Sequence, residues 1–228
     1  MTTSESSRKD REMLAVCLAA IAGYVDAYGF LTFSTFVSFM SGNTTHAGIK
    51  LGEHAYALAL PAAAAILSFI TGVFAGTLLT NSRTPHARRI LYLTIAALLA
   101  LNIGASHLTS TFIYLGIAML SFTMGMMNTA LSRVGNLIVN LAFVTGTLSQ
   151  IGAYLALAAE RAPVEDGEGV WDTHLRRAII LILVWMGFIA GAILGGIATP
   201  RFGVRLLVLP LLIMLALAVL SPSQSPDD

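Results

Sequence analysis

An all-α, polytopic membrane protein made of two inverted repeats, each of about three spans with a broken strand-plus-half-helix segment, is the fold class this sequence predicts. Three observations lead there. Hydrophobic residues fill 56% of the 228 positions and charged residues only 11%, with a mean hydropathy of +0.79, too apolar for an ordinary soluble domain. The charges cluster at Arg8–Glu12, Arg83 with Arg88 and Arg89, Glu160–Arg177, Arg201 with Arg205, and Asp227–Asp228, and apolar runs of about 20 residues, a bilayer-crossing length, lie between them. Finally, a polar, glycine-punctuated stretch, Gly23 to Gly52, returns as Gly125 to Gly152, aligning Asp26 with Asn128, Ser41-Gly42 with Thr145-Gly146 and Gly48 with Gly152.

Taken in order, Met1 to Ser7 is a short polar tail, and residues 1–11 are expected to form a disordered cytoplasmic tail. A basic stretch before an apolar run ending Ala20-Ile21-Ala22 imitates a signal peptide, but the run leads directly into the repeat and is expected to be retained. The first span covers about Met13 to Leu31, with Asp26 deep inside it. Thr32 to Phe39 is strand-like, and Ser41-Gly42-Asn43-Thr44 signals a helix start, with Ser41 as the expected cap. The short helix that follows, ending near Gly48 to Gly52, is about half a crossing. Ala55 to Thr80 and Ile90 to about Ala105 complete repeat 1, residues 12–107.

Repeat 2, residues 109–221, begins with the span Thr109 to Leu131, which carries Asn128. Asn136 to Val144 is strand-compatible, Thr145-Gly146-Thr147 starts a short helix to about Ala158, and Ala178 to Thr199 and Val204 to Leu220 are the last spans. Gly187 to Gly191 is aligned with Gly72 to Gly76, both suited to tight helix packing. Residues 222–228 form a disordered tail. The span domain is thus 12–221.

Positive charge orients the repeats. If segments 32–52 and 136–158 dip into the membrane without crossing it, the halves are inverted. Arg8, Lys9, Arg11, Arg83, Arg88, Arg89, Arg133, Arg161, Arg176 and Arg177 then fall inside, leaving Lys50, Arg201 and Arg205 outside. Full crossing by every segment divides the charges almost evenly.

A pair of interrupted segments at matching places in inverted halves points to a secondary transporter or exporter, because a helix that begins inside the bilayer presents unpaired N–H groups and a positive dipole end. The expected binding set is Ser41, Gly42, Asn43 and Thr44 with Asn128, Thr145, Gly146 and Thr147, for a small polar or anionic solute. Asp26, an ionisable group buried in a span, is the expected coupling residue, with His46 as a second proton carrier and Arg133 as counter-charge. A channel of the same fold, or a membrane scaffold or sensory partner without transport, is the alternative. No nucleophile elbow, metalloprotease helix, P-loop or dinucleotide fingerprint occurs, so neither an enzyme nor a cofactor is expected. The single Cys17 allows no intrachain disulfide and no cysteine metal cluster, and no basic aromatic patch suggests nucleic acid. The expected partners are the solute, the lipid bilayer and a second copy in a homodimer.

The segments GYVDAYGFLTF and FVSFMSGNTTHAGIKLGE resemble the signature of the YoaK-type family of bacterial membrane proteins, a domain of unknown function recognised by Gly-x-x-Asp-Ala and a Thr-Gly-Asn-Thr-like segment. Here the latter reads Ser41-Gly42-Asn43-Thr44, one hydroxyl replacing another. The resemblance covers nearly the whole chain and implies a multi-pass protein of the bacterial inner membrane with about six spans. More loosely, a strand followed by a half-helix in each inverted half is similar to the architecture of nucleobase and sulfate-type anion transporters.

Overall fold

The computed structural model describes residues 3–82, 84–106, 113–130, 133–134, 137–138, 144–164, 167, 169 and 171–221. The chain is predominantly helical. Its helices are α1 (Thr3–Phe33), α2 (Met40–Gly52), α3 (Tyr56–Thr80), α4 (Ala87–Gly104), α5 (Ile113–Asn128), α6 (Val144–Ala159), α7 (His174–Phe202) and α8 (Val208–Leu220), with a 3-10 turn, Gly203–Leu207, before α8. A two-residue antiparallel ladder pairs Arg133–Val134 with Leu137–Ile138. Lys9–Phe33, Tyr56–Thr80 and Ala87–Gly104 are each long and apolar enough to cross a membrane. So is the 47-residue stretch His174–Leu220, which has the length of two crossings at about 20 residues each.

Several expectations are corrected. The tail expected to be disordered is helical from Thr3: residues 3–12 contain no Gly or Pro, and Glu5/Lys9 and Arg8/Glu12 stand at the spacing that favours helix. Thr32 to Phe39 forms no strand; the helix runs on to Phe33 and residues 34–39 are irregular, their backbone bonded to side chains rather than to a neighbouring strand. Ser41 is not the cap of α2, which begins at Met40 with Phe39 at the cap position and no side-chain cap bond. The helix start expected at Thr145-Gly146-Thr147 falls in the first turn of α6, which begins at Val144. Most of the strand expected at Asn136 to Val144 lies outside the described residues.

The chain forms two compact units, one of residues 1–24 and 131–193 and the other of residues 25–130 and 194–228. In the first, Ala15, Leu18, Ala19 and Ala22 of α1 and Ala178, Leu181 and Val184 of α7 are buried. In the second, α3 packs along α5, α2 on α3, and α4 on α5 and α8, around Leu91, Tyr92, Ile95, Leu99, Ile117, Leu120 and Met214. Leu67, Ile70, Phe74 and Leu78 of α3 and Ile179, Leu183, Met186 and Ile197 of α7 are exposed, an apolar surface that suits lipid rather than water.

Each unit contains one parallel helix pair at backbone contact, made the same way. In the first, a β-carbon on Gly23 of α1 would overlap the Phe188 carbonyl oxygen and press on the Ala192 nitrogen, while one on Gly191 would overlap the Ala20 carbonyl. In the second, Gly125 of α5 meets the Phe69 oxygen and Val73 nitrogen, and Gly72 meets the Phe122 carbonyl. The matching contacts make Gly72 equivalent to Gly191 and Gly76 to Gly195, so Phe69-Ile70-Thr71-Gly72 answers Phe188-Ile189-Ala190-Gly191. The sequence alignment of Gly72 with Gly187 is therefore one helical turn off. Gly187, Gly191 and Gly195 stand four apart, so a small-residue pattern fits equally well in two registers. In both pairs one helix comes from the first half of the chain and the other from the second half.

Replacing Gly191 or Gly72 by Ala is expected to lower stability by about 2 kcal/mol, because a carbonyl of the opposing helix must move. Gly196→Ala, where the added carbon meets nothing within 4 Å, is expected to leave stability unchanged or slightly raised. Thermal unfolding in detergent compares them.

Candidate functional site: a buried chain break held by Asp26

After Phe33 the chain turns through Ser34, whose φ is +53° and whose N–H bonds the Phe30 carbonyl at 2.8 Å. It then runs back along α1. Phe36 stacks on Phe30 with ring centroids 4.6 Å apart, and Val37 lies against Gly29, where a β-carbon would come 2.6 Å from the valine Cγ1. Gly29 is therefore a glycine for close approach. One turn deeper, Asp26 Oδ1 accepts two hydrogen bonds at 2.8 Å, from the N–H groups of Val37 and of Ser38.

The Asp26 side chain is 4% exposed and Ser38 2%. The Ser38 hydroxyl faces the same carboxylate without the geometry of a hydrogen bond. Among the described residues, no basic side chain forms an ion pair with Asp26. What faces its carboxyl group is peptide N–H groups and the positive end of α2, which starts two residues beyond Ser38.

Asn43 turns the chain around. Its Oδ1 accepts from the Phe36 N–H at 3.1 Å and its Nδ2 donates to the Phe36 carbonyl at 2.6 Å, closing a peptide-like pair across seven residues. Phe36 lies at the level of Phe30, and Val37 and Ser38 lie at that of Asp26. Because Asn43 reaches Phe36 from one turn into α2, the helix leaves Asp26 toward the C-terminal end of α1. With 13 residues, α2 is about 20 Å long. A short turn at residues 53–55 then leads into α3, which packs against α2 in the opposite direction.

The other expected residues are placed as follows. Asn43 is buried, Gly42 sits over the Phe36 and Phe39 rings, and Ser41, Thr44, Thr45 and His46 lie on the exposed side of α2. The Thr44 and Thr45 hydroxyls donate to their own helix, to the Met40 and Ser41 carbonyls. Asn128 ends α5, with a buried Oδ1 that has no donor among the described residues. Thr145 is exposed, Gly146 half-buried and Thr147 buried at the start of α6. Arg133 belongs to the short ladder and its side chain lies outside the description. Asp26, Ser41 to Thr44 and Asn128 fall in one compact unit, and Thr145 to Thr147 in the other.

Sequence reasoning missed Val37, Ser38 and Gly29, because backbone donors leave no signature in side-chain identity. It also missed that the two short helices end alike. His54 after α2 and Arg161 after α6 both take positive φ, 57° and 53°, and the next N–H reaches five residues back in each, Ala55 to Lys50 and Ala162 to Leu157.

These features define a multi-pass membrane protein whose first long helix is followed by a buried, polar chain break. By the match of residues 14–220 to the family described as "Protein of unknown function (DUF1275)", the chain belongs to that family. It is 32% identical over 206 residues to the UPF0700 transmembrane protein RA0705 of Rhizobium meliloti, covering 90% of this chain and 83% of the relative. It is 26% identical over 204 residues to the UPF0700 transmembrane protein YoaK of Bacillus subtilis, covering 84% and 85%. No solved structure matches.

Asp26→Ala strands two buried N–H groups and is expected to cost about 3 kcal/mol, whereas Asp26→Asn, whose amide oxygen can still accept, is expected to lose less than half of that. Hydrogen exchange at Val37 and Ser38 gives the local readout, with faster exchange in the alanine variant.

Proposed function

We propose that the protein is a secondary transporter or exporter of a small polar or anionic solute in a bacterial inner membrane. The observation that carries this reading is the Asp26 carboxylate, buried in a span and bonded to the backbone just ahead of a half-length helix. In this reading the excursion 34–52 is re-entrant. The descent from Phe30 to Asp26 and the return of α2, fixed by Asn43 on Phe36, support it, because both ends of the excursion then lie on one side of Asp26. Segment 136–158 is its inverted counterpart; the equivalent glycine contacts and the shared ending of α2 and α6 support the repeat.

Coupling follows from the hydrogen bonds. Ionised, Asp26 holds the N–H groups of Val37 and Ser38 and pins the start of α2. Protonated, its acceptor strength falls, and those N–H groups become available to a solute carboxylate or carbonyl. Ser41, Gly42, Asn43, Thr44 and Asn128 are the proposed solute-binding residues of one compact unit, and Thr145, Gly146 and Thr147 those of the other. Arg133 is the counter-charge and His46 an accessory proton carrier. A homodimer is the proposed assembly.

The test is reconstitution in liposomes containing a pH-sensitive dye, challenged with panels of monocarboxylates, amino acids and nucleobases. A solute that moves protons in the wild type is expected to move none in Asp26→Asn while the variant still assembles. Equal proton-coupled uptake by Asp26→Asn, or proton movement with no member of the panels, contradicts the proposal.

A further inference from the structure

The connection between α3 and α4 concentrates positive charge in a stretch of chain that holds no acid. No Asp or Glu stands between Glu53 and Glu160, whereas residues 83–89 include Arg83, His86, Arg88 and Arg89. Arg83 lies outside the described residues; His86, Arg88 and Arg89 are exposed. In the compact unit of residues 25–130 and 194–228, Asp26 is committed to the chain break and Glu53 to Lys50, at 2.8 Å. The other acids of that unit, Asp227 and Asp228, lie outside the described residues.

Because α3 and α4 are each long and apolar enough to cross a membrane, the connection between them stands at a membrane face. Hydrogen bonds fix its course. The Ser82 N–H and hydroxyl both donate to the Leu79 carbonyl, at 3.2 and 2.6 Å, the Ser82 and Thr84 hydroxyls are 2.9 Å apart, and the Ala87 N–H reaches the Thr84 carbonyl at 3.0 Å. Helix α4 therefore starts at Ala87, with His86 at the cap position, no side-chain cap bond and no acidic residue in its first turn. Arg88 and Arg89 occupy that turn, at the positive end of the helix dipole, where a cation is disfavoured and an anion favoured. Arg201 makes the contrast: it lies in the last turn of α7, where the dipole favours a cation.

Beyond the arginines the exposed face of α4 is apolar. Ile90, Leu93, Ala97 and Leu101 follow Arg89 at helical spacing and are exposed, while Leu91 and Ile95 on the opposite face are buried. From Arg89 to Leu101 the helix rises about 18 Å, a little more than one leaflet of a hydrocarbon core about 30 Å thick. A ligand that matches this surface has an anionic head for two adjacent guanidiniums and a hydrocarbon body for the stripe above them. Phosphate oxygens suit the forked guanidinium donors. A headgroup amine would set another cation beside Arg88 and Arg89, so a glycerol headgroup fits better than choline or ethanolamine.

We infer that the head of α4 is a binding site for an anionic phospholipid of the phosphatidylglycerol type: Arg88 and Arg89 hold the headgroup phosphate, and an acyl chain lies along Ile90, Leu93, Ala97 and Leu101. This inference is independent of whether Asp26 couples transport.

The test is native mass spectrometry of the full-length protein released from detergent micelles that carry phosphatidylglycerol or phosphatidylcholine with the same acyl chains. The wild type is expected to retain phosphatidylglycerol in preference to phosphatidylcholine. A basic residue near an anionic membrane surface is worth about 1 kcal/mol, so apparent affinity should fall about fivefold in Arg88→Gln or Arg89→Gln and about 30-fold in the double variant. Arg201→Gln/Arg205→Gln should leave retention unchanged. Equal retention of the two lipids by the wild type, or undiminished phosphatidylglycerol retention in Arg88→Gln/Arg89→Gln, overturns the inference. So does displacement of the lipid by inorganic phosphate, which makes the ligand a free anion, or retention seen only in Asp227→Asn/Asp228→Asn, which makes the acidic tail the partner of the arginines.

Discussion

The Asp26 carboxyl group, inside the first long helix, permits the irregular stretch between α1 and α2. Backbone cannot leave helical geometry in a low-dielectric interior unless its N–H groups find acceptors, and each one left bare costs several kcal/mol in hydrocarbon. Residues 34–39 leave that geometry between two helices. Asp26 supplies the acceptor for Val37 and Ser38, and Asn43 supplies both donor and acceptor for Phe36. Without these side chains, the economical path for the chain is to keep α1 going. The same bonds accommodate a buried carboxyl group that has no basic partner among the described residues: peptide N–H groups and the start of α2 are aimed at it.

Glycine provides the second constraint. In each compact unit a helix from the first half of the chain lies against one from the second half at carbonyl contact, Gly23 and Gly191 in one and Gly72 and Gly125 in the other. Apolar side chains gain little by burial when the solvent is itself hydrocarbon, so close backbone packing of this kind supplies cohesion that the hydrophobic effect does not.

How much of this was legible in the sequence depends on which physics wrote it. The spans follow from hydropathy and the positions of charge, and family membership from the Asp26 and Ser41–Thr44 segments. Composition could suggest that residues 32–39 were strand-like, since β-branched and aromatic residues suit a pleated surface. It could not show that no partner strand would stand beside them. The cap was misassigned to Ser41 because residue type favours it, whereas Asn43 does the equivalent work from inside α2 by reaching back to Phe36. The one-turn error in aligning the glycines came from a motif that repeats with the helix itself.

The measurement that bears most directly on the account is the sidedness of Lys50, at the end of α2. In a Cys17→Ala background, single cysteines at Lys50 and at the exposed Glu160 are labelled with an impermeant maleimide from each side of the membrane. If the chain dips to Asp26 and returns, Lys50 labels from the side opposite to Glu160 and the N-terminal tail. If Lys50 labels from the same side as both, α2 crosses, the halves are parallel, and a re-entrant segment held from Asp26 is excluded.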